Sequence, residues 1–203
     1  VLDQLPNLKM VASISAGFSN IDLDACAARG IPVTNAPGLN SGDVADLAVA
    51  MMTSLLLRMP SSQEYILSGQ WTEKAPPLRH SLRGKTIGIV GMGSIGQETA
   101  ARLDPFGFEI KWWGPRPKDE IAYTYAPSLL ELAEQSMGLI ICCRPDASTY
   151  KMIDRTILEA LGESGALVNV SRGGVVDETA LVAALKSGEL GGAGLDVFDP
   201  EPT

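Results

Sequence analysis

The chain has little cysteine, a single histidine and no long apolar run, and each shortage removes a class of protein. Three cysteines, Cys26, Cys142 and Cys143, are too few and too unevenly spaced for a disulfide framework. Cys142 and Cys143 are adjacent within an apolar run, where successive side chains of a strand point to opposite faces. They read as small core residues in a reducing compartment. One histidine, His80, leaves no multi-histidine metal site, and no metal is expected. The longest largely apolar stretch, residues 47–57, falls short of the roughly 18 residues that suggest a membrane span. No signal peptide is read at the start. Nor does any run of Lys and Arg offset the balance of 24 acidic against 16 basic residues, a net charge of −8. That balance argues against a nucleic-acid backbone or an anionic membrane as partner. A soluble, cytoplasmic α/β protein is the expectation.

What the chain does have is apolar mass: 45% of its 203 residues are hydrophobic, enough for a core. The length suits one or two domains. It opens at Val1 in what reads as a helix leading into a strand and stops at Thr203 just after another strand, so a segment cut at both ends is expected.

Along the chain, short strands alternate with short helices. Strands are predicted at residues 9–15 and 31–35, with a helix at 22–29 between them closed by Gly30. A long amphipathic helix is predicted from about 42 to 59, a second from 61 to 68, and a linker at 71–83 containing Pro76 and Pro77. Further strands are predicted at 86–90, 109–113, 139–143, 166–170 and 194–198, with helices at 94–103, 156–161 and 178–187. Ser128 and Glu131 have capping-box spacing and open one more helix. This alternation points to a parallel sheet with helices on both faces.

One strand, residues 86–90, runs directly into Gly91, Met92, Gly93, Ser94, Ile95 and Gly96. In that pattern Gly91 permits a tight turn, Gly93 lets the backbone approach a pyrophosphate, and Gly96 lets the helix pack closely on the strand. The free N–H groups at the helix start would hold the phosphates. Alone the pattern is weak, but here it follows a strand, opens a helix and precedes another strand. The bland alternative is a glycine-rich turn, or another nucleoside cofactor on a similar sheet. At the end of the next strand, where an acid would bind the ribose 2′-OH of NAD, the chain reads Gly114, Pro115, Arg116, Pro117 and Lys118. Arg116 with Lys118 suits a 2′-phosphate, so NADP is favoured over NAD; the alternative is a solvated basic turn.

Two later strand ends carry polar groups toward the same crevice. After residues 166–170 come Ser171 and Arg172, whose planar fork could hold a 2-keto acid bidentately. Where the strand at 194–198 ends, Asp196 and Glu201 lie at the corresponding edge, although each alone could be a turn or capping residue.

Taken together, these motifs resemble the D-isomer-specific 2-hydroxyacid dehydrogenases over essentially the whole chain. Within that family the chain is most similar to NADP-preferring glyoxylate/hydroxypyruvate and hydroxyphenylpyruvate reductases. The resemblance implies a Rossmann doubly wound parallel sheet at 80–203 and part of a flavodoxin-like substrate domain, with a crossing and dimerisation helix, at 1–79. Backbone N–H groups of Ser15, Ala16 and Gly17 would then hold the substrate carboxylate, and Arg172 the carboxylate and carbonyl oxygen. Val170, Ser171, Arg172 and Asp196 would lie along the cofactor. Glu201 would support a protonated catalytic histidine, which in the family lies shortly beyond the Glu201 motif. His80 reads as a linker residue. Ser19 stands where many members have Asp, and Arg144, Pro145 and Asp146 replace the family's usual Pro-Leu-Thr.

The leading functional expectation is hydride transfer between NADPH, or NADH, and a small-molecule 2-keto acid, by a homodimer. The competing class is a cofactor-sensing, corepressor-like relative that binds dinucleotide without turnover. A histidine encoded shortly downstream would separate the two.

Overall fold

The computed structural model describes residues 1–14, 17–18, 21–76 and 81–201, and the chain falls into two units, Val1–Asp43 and Val44–Thr203. In the first unit β1 (Val11–Ala12) pairs in parallel with β2 (Val33–Thr34), joined through α1 (Leu23–Ala28). Asp22 caps α1 by accepting from the backbone N–H of Ala25 at 2.8 Å, and Gly30 leaves the helix at φ +64°. Cys26 is the buried apolar residue of α1.

The second unit holds six parallel strands: β3 (Thr86–Val90), β4 (Glu109–Trp113), β5 (Thr124–Tyr125), β6 (Gly138–Ile141), β7 (Ala166–Asn169) and β8 (Gly192–Leu195). Their spatial order is β5-β4-β3-β6-β7-β8, so the chain works outward from β3 to one edge and then returns to fill the other. That is the doubly wound Rossmann order. Alternation of side chains explains why both faces are covered. Ile87, Ile89, Ile140 and Val168 turn one way, against Ala48, Val49 and Met52 of α2 (Ser41–Leu56) and Ala100 and Leu103 of α4 (Ser94–Leu103). Val90, Leu139, Ile141 and Leu167 turn the other way. They meet α5 (Leu129–Glu134), α6 (Arg155–Leu161) and α7 (Glu178–Ser187). Each fully buried Leu or Ile is worth about 1.5–3 kcal/mol.

The division between units falls inside α2. Its cause is α2, whose Ala45, Ala48, Val49 and Met52 are all buried, the last three in the same cluster as β3. Their spacing of three and four residues makes one helical face. The helix is also shorter than predicted: Arg58 breaks it at φ +50°, and α3 (Met59–Leu67) starts anew with Pro60 in its first turn. Among the described residues no single helix is long and apolar enough to cross a membrane. The capping box at α5 is half formed. Ser128 accepts from the Glu131 N–H at 3.1 Å, but the Glu131 carboxylate accepts from Gln135 rather than reaching back.

Candidate functional site

Because the six strands are parallel, their carboxyl ends share one edge, and β3 lies where the strand order reverses. Ligands of such sheets bind at that switch point. The segments leaving these ends are stitched side by side. Gly91 N–H donates to the Trp113 carbonyl at 2.8 Å, Cys142 N–H to Val90 at 2.8 Å, and Asp196 N–H to Asn169 at 3.0 Å.

The three glycines after β3 are glycine for different reasons. Gly91 adopts φ +94°, and a Cβ there would lie 2.5 Å from the Cys143 Cα, so both turn and packing require it. At Gly96 a Cβ would come within 2.2 Å of the Gly91 carbonyl oxygen, which lets α4 lie tight against the turn. Gly93 is under neither demand: its backbone is extended, and a Cβ there would meet nothing within 4 Å. It is also the N-cap of α4, and it brings no side-chain cap to the first turn. What Gly93 keeps open is space at a helix N-terminus, where dipole and N–H groups favour an anion. A pyrophosphate fits that cradle. Met92 is 2% exposed and Ile95 packs on the same core, so their side chains serve the fold, and only their backbone faces the turn.

Beyond β4, Gly114 is buried while Pro115 and Arg116 are exposed. Tyr125 on β5 donates its hydroxyl to the Gly114 carbonyl at 2.9 Å, and its ring meets Trp112 edge-on at 4.9 Å. Arg116 forms no side-chain hydrogen bond or ion pair with a described residue, so its guanidinium is available. Lys118 is not: its ammonium donates to the Met92 carbonyl at 2.8 Å, across the glycine turn. Arg116 and Lys118, two residues apart in the sequence, are thus separated in what they bind.

Beyond β7, Val170 and Ser171 are buried and Arg172 is exposed. Arg172 Nη1 donates to the Ser171 carbonyl at 2.7 Å, which holds the side chain against its own turn with most of the fork unused. Asn169, which carries no assigned role in the sequence, shapes this turn from below. It is fully buried, and its amide bonds to Ser171 and Arg172. An Asn closing an otherwise apolar strand was the available signal. Asp196 is exposed at the end of β8, and Glu201 accepts from the Phe198 N–H at 2.8 Å. The β7 and β8 loops touch directly, since a Cβ at Gly173 would strike the Phe198 carbonyl carbon at 2.0 Å. Glu178 on α7 holds the same loop by accepting from Asp199 N–H at 2.9 Å.

The two cysteines after β6 pack toward opposite sheet faces, as their adjacency requires. Burial pushes the Cys142 thiol up to about 12 and Cys143 up to about 11, which keeps both neutral and unsuited to nucleophilic chemistry. Among the described residues no group of His, Cys, Asp or Glu is placed to hold a metal. Gly17 lies in the first unit, half-buried; Ser15, Ala16 and His80 lie outside the described residues.

Residues 49–203 match the model of the D-isomer specific 2-hydroxyacid dehydrogenase NAD binding domain. The chain is 41% identical over 202 residues to a glyoxylate/hydroxypyruvate reductase of Arabidopsis thaliana, covering all of this chain and 64% of that one. It is 40% identical, with the same coverage, to hydroxyphenylpyruvate reductase of Plectranthus scutellarioides. Among solved structures, the NADPH-dependent glyoxylate/hydroxypyruvate reductase of Sinorhizobium meliloti, in complex with NADP and malonate, superposes with a TM-score of 0.87 at 41% identity. That match covers all of this chain and 64% of that one. A 2-hydroxyacid dehydrogenase from Ketogulonicigenium vulgare gives 0.90 at 38% identity, with the same coverage. The chain thus spans about 64% of the length of these relatives. With the doubly wound sheet, the glycine turn and the Arg172 loop in place, it belongs to the D-isomer specific 2-hydroxyacid dehydrogenases.

Proposed function

We propose that the full-length protein reduces a 2-keto acid such as hydroxypyruvate or glyoxylate to the D-2-hydroxy acid, with NADPH preferred and NADH accepted. The observation that carries this reading is Gly93: a helix N-terminus kept clear where neither backbone nor packing asks for glycine. The dinucleotide supplies the hydride. Around it, Gly91, Gly93 and the first turn of α4 hold the pyrophosphate, and Gly114, Pro115 and Arg116 hold the adenosine end. The free guanidinium of Arg116, with no carboxylate beside it in that turn, favours a 2′-phosphate. Val170, Ser171 and Asp196 border the nicotinamide half.

Arg172 binds the keto acid through its unused donors. Charge gathers on the carbonyl oxygen as reduction proceeds, so a fixed guanidinium there favours the transition state over the ground state. By the resemblance, the Glu201 carboxylate would stabilise the family's protonated catalytic histidine, which would give its proton to the carbonyl oxygen. The apolar side chains exposed on and beside α3, including Met59, Ile66, Leu67 and Trp71, favour a homodimer. The free cysteines suit a cytoplasmic protein.

The test is to follow NADPH and NADH absorbance with the full-length protein and glyoxylate, hydroxypyruvate or 4-hydroxyphenylpyruvate. Oxidation of NADPH with at least one of them is expected. Tight NADPH binding with no turnover on any keto acid would instead support a cofactor sensor.

A further inference from the structure

Asn169 is the last residue of β7, and nothing about strand formation calls for an amide there. It follows Ala166, Leu167 and Val168, and it is as fully buried as the last two. A buried polar side chain costs stability unless every group is satisfied, and here each is. Its Oδ1 accepts from both the N–H and the hydroxyl of Ser171, each at 3.0 Å. The Nδ2 donates to the Arg172 carbonyl at 2.9 Å. The main-chain carbonyl of the same residue accepts from the Asp196 N–H at 3.0 Å. One residue therefore fixes the backbone of two crevice residues that arrive on different strands.

We infer that Asn169 is a positioning residue, which sets the backbone from which Arg172 projects and so aims the guanidinium at the keto acid. This rests on the assignment of Arg172 to the keto acid in the proposed function. Its side-chain bonds go to the main chain of residues 171 and 172 and to the Ser171 hydroxyl, and none goes to the Arg172 side chain. Losing the amide would leave the cation in place and free the turn beneath it. The geometry predicts a loss that exists only while Arg172 is present to be misaimed. A purely structural role would give a loss independent of Arg172.

A double-mutant cycle in the full-length protein reads the difference. Asn169→Ala should lower kcat/KM for the keto acid at least about tenfold in the wild-type background and less than about threefold in an Arg172→Lys background. The Kd for NADPH, from quenching of tryptophan emission, should rise by a smaller factor than kcat/KM falls, since the glycine turn and Arg116 are untouched. Should the alanine variant not fold, Asn169→Asp, similar in shape and changing the amide donor, carries the same cycle. Equal fold-losses in both backgrounds would overturn the inference while leaving the proposed function standing. A wild-type protein that turns over no keto acid would overturn both.

Discussion

The two units of this chain spend similar kinds of residues very differently. In Val44–Thr203 apolar residues alternate across strands covered on both faces, and side chains such as Ile87, Leu139 and Ile140 have no solvent exposure. In Val1–Asp43 the strands are two residues long, and Leu5, Met10, Ile14 and Leu39 stand exposed. An open pocket of about 700 Å³ there is lined by Leu2, Leu8, Ile21 and Cys26 among others. What separates the units is whether a strand finds partners on both sides and helices on both faces.

The largest effects should fall on the sheet. Leu139→Ala, at a central β6 position with no exposure, should cost about 2–5 kcal/mol of unfolding free energy in urea denaturation. Val11→Ala in the two-residue β1, only half-buried, should cost less than about 1 kcal/mol. Equal losses would erase the contrast. Hydrogen exchange should sharpen it, with amides of β3, β6 and β7 exchanging far more slowly than those of β1 and β2.

Cofactor recognition should sit wholly within the second unit and be divided between two cations. Arg116→Ala should weaken NADPH binding about tenfold and leave NADH nearly unchanged. Lys118→Met removes the strut on the Met92 carbonyl, so it should weaken both cofactors by a similar, smaller factor. A Lys118 effect confined to NADPH would make it a phosphate ligand instead.

The smallest effect concerns Cys142 and Cys143. Burial holds both thiols neutral, so in a Cys26→Ser background disulfide reagents should react slowly at pH 8. Reaction should quicken only toward about 11 for Cys143 and about 12 for Cys142. Since folding favours the neutral thiols, their contribution to stability is complete below the ordinary thiol range and fades as pH climbs toward those values. Rapid labelling at pH 8 would show that the crevice side of β6 opens.

Period and punctuation made most of the second unit legible in the sequence. Five of its six strands and the helices at Ser94–Leu103 and Glu178–Ser187 lie where apolar runs, glycine and capping residues put them. β5 was missed because two residues show no period; Tyr125 is held there by Trp112 and Gly114, contacts that are remote in sequence. β8 starts two residues earlier than expected, at Gly192, because pairing with Ala166 sets its register rather than its own weak strand propensity. The cations after β4 could be read as a pair, but only packing reveals that Lys118 reaches the glycine turn. Asn169 was hidden for the same reason: its role lies in bonds made after the strand is buried.

Gly93 is glycine for a ligand and not for the fold, and Gly93→Ser puts the two demands against each other. Serine is a favoured N-cap, so thermal unfolding should show stability unchanged or raised by up to about 1 kcal/mol. NADPH affinity should fall at least about tenfold, because the hydroxymethyl group fills the space held for the pyrophosphate. A variant that binds NADPH as tightly as wild type, or that loses stability instead of affinity, would show that Gly93 serves the fold.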